Sequence, residues 1–185
     1  MTSLGGSTDV DGVVYDLDGT LVRLQVDWGQ VASDVHDVYE SAGIEPPSSE
    51  LWDLMDRADE HGLADSVEEA VASHERAGAR AAPELQTAAR LRDEDRPVAV
   101  CSLNCEAACR IALQTHGLDG DVHAIIGRDT VSEQKPAAEP LLAAFDAIDI
   151  APGAGLFIGD SESDATTAER AGSPFQYVSN LADRV

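Results

Sequence analysis

Lysine is all but absent from this chain. Of its 12 basic residues, eleven are arginine and one, Lys135, is lysine, although lysine is ordinarily among the commonest residues of a soluble domain. Acidic residues number 35, so the formal net charge is −23. A surface this negative repels itself in dilute buffer. Concentrated salt removes that penalty by shortening the screening length to roughly 3 Å at 1 M. The acids are spread along the whole chain, as on a solvated surface and not in an interaction tail. The expectation is a halophilic protein, and the same charge argues against nucleic acid or an anionic membrane surface as a partner.

Other scarcities narrow the class further. Aromatic residues make up 4% of the chain, so the core must rest on Val, Ile, Leu and Ala. The three cysteines, Cys101, Cys105 and Cys109, fall within nine residues. An odd number, without an apolar leader in the polar, Gly-rich opening "MTSLGGSTDV", argues against a disulfide framework. No histidine stands at ligand spacing beside them, so they read as small buried hydrophobes, with a metal or redox site as the alternative. No stretch approaches the roughly 20 apolar residues of a membrane span. A cytoplasmic location follows as an expectation. What remains is an ordinary apolar fraction, 43% of 185 residues, enough for one domain or one domain with an insertion.

Short β-branched apolar runs predict strands over 11–16, 97–102, 122–126, 154–158 and 174–178, buried on both faces of a parallel sheet. Helical patterns lie between them. Residues 83–95 open on Pro83, 104–116 on Asn104 as N-cap, 136–149 on Pro136, and 161–171 on Ser161, with Asp164 three residues on and Gly172 as the stop. Alternating strands and helices predict an α/β doubly wound, five-stranded parallel sheet of Rossmann-like type. Residues 22–82 break the rhythm. They offer no strand but helices over about 28–42, 48–60 and 64–78, ending near Gly43, Gly62 and Gly78. These form a helical cap inserted after the first strand, which leaves 1–21 and 83–185 as the core.

Polar clusters follow four of the strand-like runs: Asp16 and Asp18 in "YDLDGT", Ser102 and Asn104 in "CSLN", Lys135 in "EQKP", Asp160 and Asp164 in "GDSESD". In a parallel sheet all four converge at the carboxyl ends of the strands. Several carboxylates crowd together only around a cation, and hard oxygen donors with open positions suit Mg²⁺, which usually also binds a substrate phosphate. A carboxylate can attack phosphorus to form an aspartyl-phosphate. A second Asp two residues on would protonate the leaving alcohol and then deprotonate the attacking water. Lysine and metal would neutralise the transferring group, while Ser102 and backbone N–H groups, including that of Leu103, would hold its other oxygens.

"DLDGT", "CSLN", the lysine of "QKP" and "GDSESD" resemble the four motifs of the haloacid dehalogenase superfamily. "GRDTVSEQKPAAEPLL" is similar to the lysine segment of its phosphoglycolate phosphatase-like branch. The resemblance covers 9–22 and about 83–180, and the insertion falls where that branch carries a helical cap. It implies a Mg²⁺-dependent phosphatase acting on a small phosphomonoester. Asp16 would be nucleophile and metal ligand. Asp18 would be the acid/base and lend the metal its backbone carbonyl. Asp160 would complete the metal shell, with Asp164 supporting it or binding through water. Ser102, Leu103, Asn104 and Lys135 would bind phosphate, and Gly19 and Thr20 would shape the turn that presents the aspartates and adjoin the phosphate.

Asp18 argues against a dehalogenase, which needs no leaving-group acid. A phosphomutase of the same superfamily and a non-catalytic, receiver-like phosphate-binding module remain as alternatives. Arg23 and Arg128 flank the predicted cleft, where a surface ion pair is the expectation and contact with a substrate anion the alternative. His36, His61, His74, His116 and His123 read as structural or surface. Trp28 and Trp52 are expected to pack the cap, or else to line the substrate pocket.

Overall fold

The computed structural model describes residues 10–182. The polar opening segment, 1–9, and the last residues of the expected core, 183–185, lie outside them. The five apolar runs become β1 (Gly12–Tyr15), β2 (Val98–Cys101), β3 (Ala124–Ile126), β4 (Gly155–Gly159) and β5 (Phe175–Tyr177). They form one all-parallel sheet in the order β3-β2-β1-β4-β5. Every strand lies within two residues of its expected span.

The period of two sorts the side chains onto two buried faces. Val13, Tyr15, Val98, Val100, Leu156 and Ile158 enter one core, while Val14, Ala99, Cys101 and Phe157 enter the other. On the first face pack α4 (Thr87–Arg92) and α5 (Glu106–Thr115), through Ala88, Leu91, Ala112 and Leu113. On the second pack α6 (Glu139–Ala147) and α7 (Glu162–Ala171), through Leu141, Phe145 and Ala168. A short α8 (Ser179–Ala182) follows β5. All three cysteines are free and buried, two in the first core and Cys101 in the second. Burial pushes the thiols of Cys101 and Cys105 up to about 12, so they behave as apolar side chains.

The helix starts show where local signals are overridden. At α7 they hold: Ser161 is the N-cap, Asp164 closes a reciprocal capping box, and Gly172 ends the helix at φ 71°. At α4 the helix begins four residues later than Pro83, because Glu84 pairs with Val22 in an isolated antiparallel bridge. At α5 the N-cap is Cys105 and not Asn104, whose side chain is drawn instead to Glu75 at 3.1 Å. At α6 the helix begins at Glu139, three residues beyond the expected start at Pro136, with Pro140 in its first turn; the Lys135–Pro136 bond is cis.

The cap comprises α1 (Trp28–Ser41), α2 (Leu51–Arg57) with a 3₁₀ turn over 58–61, and α3 (Ala64–Arg80). Asp27 caps α1 by accepting from the N–H groups of Gly29 and Gln30. Val31, Val35, Tyr39, Leu54 and Val71 give the cap a core of its own, in which Tyr39 donates its hydroxyl to the Leu54 carbonyl at 2.7 Å. Gly78 is not the expected stop of α3. It lies inside the helix, where a Cβ would sit 2.6 Å from the Gln25 carbonyl oxygen, so glycine lets the helix press against the entering chain. The insertion leaves and rejoins the core through a two-stranded neck: Arg23 N–H donates to Pro83 at 3.0 Å, and Leu85 N–H to Leu21 at 2.9 Å.

Candidate active site

Because β1 is the central strand, the turn that follows it is flanked by the ends of β2 and β4. Asp16 stays in register with the sheet, its N–H donating to Ile158 at 2.9 Å. The chain then turns through Gly19 at φ 85°. A Cβ on Gly19 would collide with the Asp160 carboxylate, so this glycine is required by both conformation and contact. Gly19 and Thr20 serve the turn: their N–H groups donate to Val22 and Leu17, and the Thr20 hydroxyl donates to Asp16 Oδ2 at 3.3 Å. Asp18 accepts from Leu24 N–H at 2.9 Å, which ties its carboxylate to the neck of the cap.

Lys135 arrives from the segment after β3 and is buried, with 8% of its surface exposed. Its ammonium has three N–H donors. It donates to Asp16 Oδ1 at 2.9 Å, Asp164 Oδ1 at 2.5 Å and the Cys101 carbonyl at 3.3 Å. Asp164 is doubly held, since its Oδ2 also accepts from the Asp160 and Ser161 N–H groups and the Ser161 hydroxyl. Ser102 lies buried at the end of β2, its hydroxyl donating to Asn104 Oδ1 and accepting from Asn104 N–H, both at 3.1 Å. The four aspartates, Leu103, Asn104 and Lys135 line one cavity of about 250 Å³. A larger groove, about 830 Å³, runs beside α6, but none of the candidate residues lines it.

The charges do not balance locally. Asp16, Asp160 and Asp164 offer carboxylate oxygens that all lie within 4.8 Å of one another, against one ammonium. Burial, reinforced by Asp164 and Asp160 and opposed by Lys135, pushes Asp16 up to about 7. Burial, with Asp164 next, also raises Asp160. Burial raises Asp18 as well, favouring the protonated acid. Lys135 moves the other way from its burial: desolvation pulls it down, but Asp16 and Asp164 outweigh that and hold it charged.

A family model described as haloacid dehalogenase-like hydrolase matches residues 13–178. The chain belongs to the haloacid dehalogenase-like hydrolases. A phosphoglycolate phosphatase of Cereibacter sphaeroides is 32% identical over 186 residues, covering 89% of this chain and 83% of that protein. One from Rhodospirillum rubrum is 35% identical over 75 residues, 40% of this chain, and the match spans only 31% of that relative. Among solved structures, CbbY from Rhodobacter sphaeroides in complex with phosphate superposes with a TM-score of 0.68 at 16% identity, covering 91% of this chain and 85% of that one. This last likeness is one of fold.

In this hydrolase the carboxylate cluster fits a hard divalent cation. Asp16 and Asp160 keep oxygen lone pairs to offer, and a cation there would relieve the repulsion that raises both groups. Asp164, already saturated with donors, supports from behind.

Sequence reasoning missed one residue, Glu75 of α3. It is fully buried. Its Oε1 accepts from Asn104 Nδ2 at 3.1 Å and its Oε2 from Cys105 N–H at 3.0 Å. It also takes two bonds from Arg128, at 2.7 and 3.0 Å. Arg128 is therefore no surface ion pair and does not line the cavity. Its side chain is 2% exposed, and it binds Glu68 at 2.7 Å and the Leu103 carbonyl at 2.8 Å. Burial pulls the Arg128 pKa down, but Glu75 and Glu68 outweigh it and raise it. The result is a buried clamp between the cap helix and the loop after β2. Of the two readings of Trp28 and Trp52, the structure favours the second: they are not in the cap core but exposed, and they line the cavity with the aspartates.

Proposed function

We propose that this chain is a Mg²⁺-dependent phosphatase that hydrolyses a small phosphomonoester through an aspartyl-phosphate. The observation that carries the reading is Lys135, bonded to both Asp16 and Asp164 in a cavity where three carboxylates converge. A lone buried ammonium holding one carboxylate in place while others stand ready for a cation is what phosphoryl transfer to an aspartate requires. Membership of a hydrolase family and the phosphatase names of its relatives support it.

Asp16, fixed by Thr20 and Lys135, attacks phosphorus as the bond to the leaving oxygen breaks. Asp18, whose raised pKa favours the acid form, gives that oxygen its proton. The same carboxylate then takes a proton from water, which attacks phosphorus, releases inorganic phosphate and restores Asp16. Lys135 neutralises charge through Asp16, since its three donors are already engaged. Leu103 and Asn104 form the wall that receives the phosphoryl oxygens, while Ser102, expected to bind phosphate, does not line the cavity and braces Asn104 from behind. Asp16 and Asp160, backed by Asp164, would hold Mg²⁺, which supplies charge neutralisation for the transferring group. The helical cap covers the cavity and selects the leaving group.

The acidic surface, with a charge of −23, supports a salt-rich cytoplasm and no polyanionic partner. Among the described residues, no helix is long and apolar enough to cross a membrane. The test is hydrolysis of a generic aryl phosphate in high salt with and without Mg²⁺. Turnover that needs Mg²⁺ and disappears in Asp16→Asn supports the reading. Retained activity in Asp16→Asn, or none by the wild type across a broad panel of phosphoesters, refutes it.

A further inference from the structure

The chain has only two tryptophans, and both are set at the site. Trp28 opens α1 and Trp52 lies in α2, with ring centroids 5.7 Å apart and planes tilted by 46°. They are 37% and 50% exposed, while the cap packs its own core without them, from Val31, Val35, Tyr39 and Leu54. Large exposed aromatic surface that is not needed for packing marks a binding site. Both rings line the same cavity as Asp16 and Asp18.

The cavity is as specific in what it withholds. Four aspartates line it, and Lys135 is the one basic lining residue among the described ones. Lys135 donates all three N–H groups to protein oxygens. Arg128 is committed to Glu68 and Glu75. Arg23 acts on Asp18 from an exposed position outside the lining. A second anion on the substrate would enter with no side-chain cation to meet it, and like charges brought together without a counter-charge disfavour the wrong partner. Size points the same way. A cavity of roughly 150 Å³ holds benzene, so about 250 Å³ takes one ring and a phosphoryl group.

We propose that the tryptophan pair makes this pocket a receptor for phosphomonoesters whose leaving group is a single planar apolar ring, and that it rejects leaving groups carrying a carboxylate. The inference rests on the phosphatase reading for the reaction but not for binding. Benzyl phosphate and phosphoglycolate are the probes. Both leave as primary alcohols, so the ring and the carboxylate, and not leaving-group acidity, separate them.

Two arms keep the readings apart. Excited at wavelengths that spare the three tyrosines, fluorescence arises from the two roof tryptophans, so titration of Asp16→Asn in high salt with Mg²⁺ reports binding without turnover. Benzyl phosphate is expected to quench saturably, at a Kd at least about tenfold below that of phosphoglycolate. In the kinetic arm, kcat/KM is expected to favour benzyl phosphate by about tenfold or more. That ratio should collapse in the double variant Trp28→Ala, Trp52→Ala and persist in Trp28→Phe, Trp52→Phe. Equal or tighter binding of phosphoglycolate, or a preference unchanged in the alanine variant, overturns the inference. If neither ester is turned over, the fluorescence arm alone decides this inference, and the phosphatase reading is decided by the broad panel of phosphoesters.

Discussion

Replacing Glu75 with alanine is expected to destabilise the protein by about 3–4 kcal/mol, the lower part of the range for breaking a buried ion pair. The contacts set that figure. Glu75 is fully buried, and removing it leaves Asn104 Nδ2 and the Cys105 N–H without acceptors, each at about 1–3 kcal/mol. Arg128 loses two of its bonds but keeps Glu68, which is 36% exposed and so stays partly solvated; this holds the cost at the lower end. For a chain of this size, the corresponding fall in Tm is roughly 6–15 °C. Denaturant unfolding of wild type and variant at low and high salt measures it. Because the pair is buried, its cost should persist in concentrated salt, where surface pairs are screened away. A loss below about 1 kcal/mol, or one that vanishes with salt, would refute the assignment of Glu75 to a dry clamp. The double substitution Glu75→Leu with Arg128→Met should regain only the part of the loss that comes from the unpaired Arg128 charge, because Asn104 Nδ2 and the Cys105 N–H still lack acceptors. Its kcat should stay low, because the Leu103 carbonyl and the Asn104 amide beside the site remain without their partners.

Other outcomes follow from the same contacts. Lys135→Arg should fold yet lose about 100-fold in kcat, since a planar fork cannot take the place of a compact ammonium between Asp16 and Asp164; near wild-type turnover would contradict the buried geometry. Gly19→Ala should cost about 1–3 kcal/mol for the strained φ alone and abolish activity by displacing Asp160, seen as lost turnover and a lowered Tm. Asp16 titrates near 7 when folded without metal, above its ordinary 3.8. The folded state therefore binds the extra proton, and this stabilisation is present at low pH and lost as pH rises through about 7. Thermal scans of the metal-free protein should show Tm falling from about pH 5 to about pH 8, with a shallower fall in Asp16→Asn and in the presence of Mg²⁺.

The strands and the carboxylate edge were legible in the sequence because their signals are local. "GVVY" and "GLFIG" each carry their burial in consecutive residues, and the spacing of "DLDGT" puts both aspartates on one turn. The capping box at Ser161 is likewise complete within four residues. Glu75 was not legible. In a chain with 35 acids it reads as one more solvated position, and only the packing of α3 against α5 buries it. Asn104 failed as a cap for the same reason, since the acceptor that claims it lies 29 positions away. The sequence puts Arg128 beside the cleft and the tryptophans in the cap, but which way each faces depends on how the cap docks, and no local pattern encodes that.

The neck of the cap has a consequence for how such a molecule diversifies. The chain leaves at Leu21–Arg23 and returns at Pro83–Leu85, where main-chain hydrogen bonds hold the two passages side by side. To the sheet, everything between is a loop whose ends are already joined. Loop-closure entropy grows only with the logarithm of length, about 0.6 kcal/mol for each doubling. Residues of α1, α2 and the turns between them can therefore be gained, lost or exchanged at little cost to the scaffold, while the turn carrying Asp16 and Asp18 stays put and α3 stays tied to the core through Glu75. The lining that α1 and α2 lend the cavity and the carboxylate edge of the sheet are thus free to drift at different rates within one polypeptide.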